Sequence, residues 1–191
     1  MITNQSHKTN FRLDIPDAGV TQGFQVSIQN VVLPSVEIEP VRLPINKMAQ
    51  GDIPGSAMRF EPLTMRMLLD EDLNAYTEIF KWMTSIVDYK SGRSTAQIEG
   101  NSPNTLLLHI LDNSKKKILI TYKFIDPWPS NLGQVEWDYT EEGNPAITGD
   151  VTFSYKWFEI ERNGVAIGPR QGPVTVTRGA QVNSSHPFPN R

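Results

Sequence analysis

Chemistry has few residues to stand on in this chain. The histidines are His7, His109 and His186. His7 and His186 sit in polar, turn-rich ends. His109 lies amid Leu106, Leu107, Leu108, Ile110 and Leu111, the setting of a strand histidine held for structure rather than for proton transfer. No G-x-S-x-G, P-loop or H-E-x-x-H pattern occurs. There is no cysteine, which excludes a thiolate nucleophile, a disulfide framework and a cysteine zinc site. Asp138, Thr140, Glu142 and Gly143 match positions 1, 3, 5 and 6 of a calcium loop, but Gly149 stands where a bidentate glutamate is required. That stretch reads as a solvated acidic tip. Lys115–Lys117 is a basic run at a hairpin tip, either a solvated turn or an electrostatic contact with an acidic partner. Nucleic-acid binding would want more cations and matching aromatics. The reading is a protein that is not an enzyme, with no catalytic, metal or cofactor-binding residues and no cofactor.

The elements that must position these residues fit one domain. The chain has 191 residues, a net charge of −3 and 20% charged residues, which is enough for a real core and lacks the basic balance of a nucleic-acid binder. The polar start MITNQSHKTN has no apolar h-region, and no apolar run approaches membrane-spanning length. The expectation is a soluble intracellular product without a membrane anchor.

Alternation dominates the chain. Strands are predicted at Asn10–Ile15 and at Gly23–Val32, where Phe24, Val26 and Ile28 alternate with polar residues. Residues 42–58 hold two prolines and two glycines and read as a loop. Yet the loop carries Leu43, Ile45, Met48, Ile53 and Met58, so it packs either on its own core or on another subunit. Leu63, Met65, Met67 and Leu69 share one face of a strand, with Thr64 and Arg66 on the other. Asp70–Asp72 then place acid at the start of a helix over Asp72–Asp88. Its stripe is Leu73, Tyr76, Phe80, Met83 and Val87, with Glu78 and Lys81 opposite. Strands follow at Thr105–Leu111, Lys117–Phe124, Gln134–Tyr139 and Ile147–Glu161. Residues 1–10 read as an arm, 11–162 as the domain and 163–191 as an extension, with VTVT at 174–177 a possible edge strand. The fold class is mainly β, a β-sandwich or open antiparallel barrel with one packed α-helix.

The corner DPWPSNLG interrupts this pattern. Proline cannot donate to a sheet ladder, so Pro127 and Pro129 belong at a strand end or edge. Trp128 is too large to leave in solvent, so the corner is expected to pack on its own core or on a neighbour.

The order of elements, with the phrases DIPGSAMRFEPLTMRMLLDE, AYTEIFKWM, DPWPSNLGQVEWDY and ITGDVTFSYKWFEIE, resembles the tail tube proteins of contractile-tailed, T4-type bacteriophages. The resemblance covers roughly residues 10 to 160. It includes an LP turn at Leu33–Pro34, Phe80 to Met83 with Trp82, and a corner at Trp128, Pro129, Asn131 and Gly133. It implies a structural virion protein, assembled in the host cytoplasm and related to pyocin and type VI secretion tubes. Sheets of six subunits would close into a ring-shaped barrel, and the rings would stack inside a sheath. Its partners would be itself, the sheath protein, baseplate or terminator proteins, and DNA passing without specific binding.

On that resemblance the polar strand face becomes the lumen, with Thr64, Arg66, Thr152, Ser154 and Lys156 lining it. Leu43, Ile45, Lys47, Met48, Ile53, Pro54 and Met58 become subunit or inter-ring contacts, and Pro127, Trp128 and Pro129 a structural corner. A strongly basic bore would hold DNA that must slide, so acidic neighbours such as Glu61 or Asp150 should offset Arg66 and Lys156. The repeated tube subunit is the first expectation. A tube initiator or terminator ring, a monomeric β-barrel ligand-binding module and a hydrolase are the alternatives.

Overall fold

The computed structural model describes residues 5–96, 103–140, 143 and 145–169. In chain order the elements are β1 (Phe11–Asp14), α1 (Gln22–Ser27), β2 (Ile28–Val32), β3 (Val36–Asn46), β4 (Ala49–Phe60), β5 (Leu63–Leu68) and α2 (Asn74–Ile86). Then come β6 (Val87–Asp88), β7 (Arg93–Ser94), β8 (Thr105–Leu111), β9 (Ile118–Ile125), β10 (Trp128–Leu132), β11 (Thr148–Ser154), β12 (Trp157–Arg162) and β13 (Val165–Ala166). Two larger antiparallel sheets, ordered β1-β8-β9-β12-β13 and β10-β11-β5-β2, are accompanied by the two-stranded ribbons β3-β4 and β6-β7. The fold is mainly β, and among the described residues neither larger sheet closes on itself.

The core lies between the apolar faces of the two sheets, sealed by the helices. Leu63, Met65, Met67, Val151 and Phe153 face it from the four-stranded sheet, and Leu13, Leu106, Leu108 and Phe124 from the five-stranded one. Phe153 is the hub, with ring centroids 5.8 Å from Phe24 and 5.5 Å from Trp82.

The helix sits on a different stripe from the one its spacing predicts. Ala75, Ile79 and Trp82 are buried, Tyr76 and Met83 flank them, and Phe80 and Val87 are exposed. Both sets of residues fit a 3-4 spacing, and the large indole of Trp82 fixes the rotation by packing on Phe153. Asp70 accepts hydrogen bonds from the Asn74 main chain at 2.8 Å and side chain at 2.6 Å, capping the first turn in place of Leu73.

A second helix was not predicted. The stretch expected to be one strand, Gly23–Val32, begins as α1, which buries Phe24 and exposes Val26. The cause lies far along the chain. The Glu78 carboxylate accepts hydrogen bonds from Gly23 N at 3.2 Å and Phe24 N at 2.8 Å. Glu78 was expected to face solvent opposite the stripe. It instead satisfies donors at the start of α1. A Cβ at Gly23 would meet its carboxylate at 2.9 Å.

Two adjacent crossings join the sheets. β9 leaves one sheet at Ile125, and the chain re-enters the other at Trp128 through Asp126 and the buried Pro127. The predicted continuous strand 147–161 returns the other way. It breaks at Tyr155–Lys156 into β11 and β12, which belong to different sheets. The bend reverses the phase of alternation, so Phe158 packs on the core while Trp157 is exposed. The crossings are tied by Lys156 N–H donating to Ile125 O at 3.0 Å and by the Lys156–Asp126 ion pair. Sheet-switching strands of this kind make the corners of β-sandwiches.

Phe153→Ala is expected to lower unfolding free energy by about 3–5 kcal/mol in denaturant titration. Trp128→Ala should cost below about 1 kcal/mol, because Trp128 is 46% exposed. Equal losses would contradict this placement of the core.

Tyr155, whose hydroxyl donates to Glu61 O at 2.6 Å, has its pKa pushed up to about 12 by burial and by the Glu61 charge. A raised folded value means its contribution is complete below the ordinary value near 10 and is lost as pH rises through about 12. Ultraviolet titration should show a late tyrosine step near about 12, and Tyr155→Phe should remove it. A titration that Tyr155→Phe leaves unchanged would contradict it.

Candidate functional site

The outward face of the four-stranded sheet carries the polar residues singled out from the sequence. Cross-strand register sets Asn131, Thr152, Thr64 and Val32 in one row, and Asp150, Arg66 and Asn30 in the next. Ser154 stands opposite Trp128. Thr64, Arg66, Thr152 and Ser154 therefore share one surface. Lys156 does not join them, because it lies in the bend after β11.

That surface is charge-balanced. Arg66 donates to both carboxylate oxygens of Asp150, at 2.8 and 3.2 Å. The hydrogen bonds from Arg66 hold the Asp150 carboxyl below its usual range, and the same pairing raises the Arg66 pKa. Asp150, one of the two acids expected to offset Arg66, does so. Lys156 is matched instead by Asp126, and Glu61 pairs with Arg59.

Among the described residues, the two edges of this sheet, β10 and β2, have no further strand beside them. Pro129, buried on β10, stands at an edge as its missing N–H demands. Gly133 follows, donating its N–H to Asp150 O at 2.7 Å. A Cβ there would sit 2.8 Å from the same oxygen, so only glycine permits this approach.

Residues 42–58 are not a loop. They belong to the β3–β4 hairpin, which pairs from Val36↔Phe60 to Asn46↔Ala49 with register shifts near Pro40 and Pro44. Those irregularities and the glycines hide the alternation. Leu43, Ile45, Lys47, Met48, Ile53, Pro54 and Met58 are all exposed on it. Val41 lies opposite Ile53 and Leu43 opposite Gly51, while Arg42 lies opposite Asp52. Side chains alternate across the ribbon, so one face is apolar and the other polar. The apolar face is not packed on the chain's own core.

Elsewhere chemistry remains sparse. His109 Nδ1 lies 2.9 Å from Thr121 Oγ1 and Nε2 lies 4.0 Å from Asp14 Oδ2, an order that resembles a hydroxyl–imidazole–carboxylate relay. Burial foremost, and then Arg12, lower its pKa. His109 and Thr121 sit on the interior strands β8 and β9, where ladder bonds occupy the neighbouring N–H groups and leave no paired donors for an oxyanion. The Asp138 carboxylate accepts the Thr140 N–H at 2.8 Å and hydroxyl at 2.7 Å, bonds that depress its pKa. Glu142 and His186 lie outside the described residues, as does VTVT at 174–177. Among the described residues no cluster of three or more metal-ligating side chains occurs, and no helix is long and apolar enough to cross a membrane. At the Lys115–Lys117 tip, Asp112 accepts the Lys116 and Lys117 N–H groups at 2.9 and 3.1 Å, which makes it an ordered turn.

Comparison with known proteins agrees with this geometry. Residues 3–161 match the phage tail tube protein family. The tail tube terminator protein of Enterobacteria phage T4 is 34% identical over 173 residues, which cover 87% of this chain and 94% of that protein. Among solved structures, the tube-terminating cap of the anti-feeding prophage superposes with a TM-score of 0.58 at 12% identity, covering 85% of this chain and 94% of that one. The sheath/tube terminator of the PVC extracellular contractile injection system gives 0.57 at 13% identity, covering 84% and 99%. At such identities the likeness is one of fold. The two-sheet architecture and the match over most of its length place this chain in the phage tail tube protein family.

Proposed function

We propose that this chain forms the ring that ends the tail tube of a contractile phage. The carrying observation is the 34% identity, along 94% of its length, to the T4 tail tube terminator protein. It favours a terminator over the repeated subunit that was the first expectation. The interior between the sheets is filled by Phe24, Phe124 and Phe153, which speaks against a hollow ligand-binding barrel. The role is structural, not enzymatic, and the site of action is the virion tail after assembly in the host cytoplasm.

The ring closes through the free sheet edges. The four strands alternate in direction, and four is even, so β10 of one copy meets β2 of the next antiparallel. Six copies make one continuous barrel without an exposed edge. The face bearing Thr64, Arg66, Thr152 and Ser154 lines the bore. Its Arg66–Asp150 pairs repeat with each copy and leave little net charge to retain DNA. The β3–β4 hairpin lays its apolar face on the adjoining ring, and the sheath lies outside. A chain of the PVC sheath-tube complex shares this fold, which supports that arrangement.

Particles made without this protein should carry tubes of uneven length. Particles lacking tubes altogether would show that it is the repeated subunit. Replacing Val41–Ile53 with a two-residue turn should leave the thermal midpoint of the free subunit unchanged and abolish capping of tube ends in negative-stain images. Tubes still capped by the trimmed protein would remove the hairpin from the contact.

A further inference from the structure

We infer that Gln134–Tyr139 is a strand completed only on assembly, seated in the groove between β1 and α1 of the adjacent copy. The inference rests on the ring proposed above and names a contact within it. QVEWDY alternates like a strand, yet it has no strand partner among the described residues. Among the described residues, no main-chain hydrogen bond involves Gln134, Val135, Glu136 or Trp137. Val135 turns to the core. Beyond it Trp137 and Tyr139, the latter at the start of the Asp138–Thr140 turn, are 62% and 107% exposed. Two aromatic rings in solvent beside unpaired backbone are the signature of strand addition awaiting an edge.

Register indicates where the segment goes. Leu132 pairs with Val151, and Gly133 bonds to Asp150, whose row continues through Arg66 to Asn30. One residue on, Gln134 is level with Gly149, Met67 and Ile28, the first residue of β2. When β10 pairs with β2 of the next copy, the chain beyond Gln134 runs past the start of that strand and onto α1. There a groove of about 590 Å³ opens, lined among others by Phe11, Arg12, Asp14, Gln22, Val26 and Ile28. Val26 is 80% exposed, and β1 beside it is a free sheet edge. The groove thus offers Phe11, Val26 and Ile28 as cover for the aromatics, polar side chains on its remaining walls and the β1 sheet edge for the segment's backbone. Barrel stagger slides the segment along this edge without changing which edge it meets.

The chain has no cysteine, so introduced pairs report cleanly. Glu136→Cys combined with Gln22→Cys, treated as assembled rings with a short bismaleimide, should give a ladder of covalent multimers, and neither single variant should. Trp137→Ala/Tyr139→Ala should raise the midpoint concentration for ring assembly at least about tenfold, with the monomer's circular dichroism unchanged. No ladder from assembled rings, or an unmoved midpoint, overturns this contact and leaves the ring standing. A wild-type protein that stays monomeric at every concentration overturns both.

Discussion

The structure depends on a sheet that cannot finish itself. β10-β11-β5-β2 buries one face on the core and ends in two strands with no further strand beside them among the described residues. Exposed edges invite uncontrolled pairing, and proteins blunt, cover or close them. Pro129 blunts part of one edge. In the proposed ring, closure with further copies satisfies the rest, and the even strand count lets it proceed without a change of pairing type. Cyclic closure of this kind joins two different edges of identical subunits.

What holds the unfinished sheet in shape is the pair of crossings. β9 to β10 and β11 to β12 pass between the sheets side by side. Lys156 binds the Ile125 carbonyl and the Asp126 carboxylate across them. The lysine first read as lumen lining is therefore better understood as part of this tie. On the sheet face proper, Arg66 and Asp150 neutralise each other at the centre. The core below it is aromatic and dense, so the sheet stays rigid while its edges remain available.

Much of this was legible in the residues, and the failures share a cause. β8 matched Thr105–Leu111, and β9 fell close to Lys117–Phe124, because both strands alternate and a short turn joins them. The Thr64–Arg66 face followed from the same period. α1 was missed because Phe24, Val26 and Ile28 alternate as a strand would, and the deciding acceptor, Glu78, lies more than fifty residues away. The stripe of α2 was misplaced for a similar reason, since the indole that sets its rotation answers to Phe153. The β3–β4 hairpin was hidden by prolines at positions where an exposed ribbon tolerates them. Trp128, expected to be anchored, is half exposed at the sheet edge. No residue pattern distinguished a terminator from a repeated subunit. The proposal of a terminator rests instead on similarity along 87% of the chain.

The central claim is that the edges of the four-stranded sheet are paired between copies. Amide hydrogen exchange, compared between dissociated subunit and assembled ring, reads it directly. Peptides covering residues 28–33 and 128–133 should exchange quickly in the subunit and become protected in the ring, while β8 is slow in both. Rings that form with those edges still exchanging freely would contradict the account.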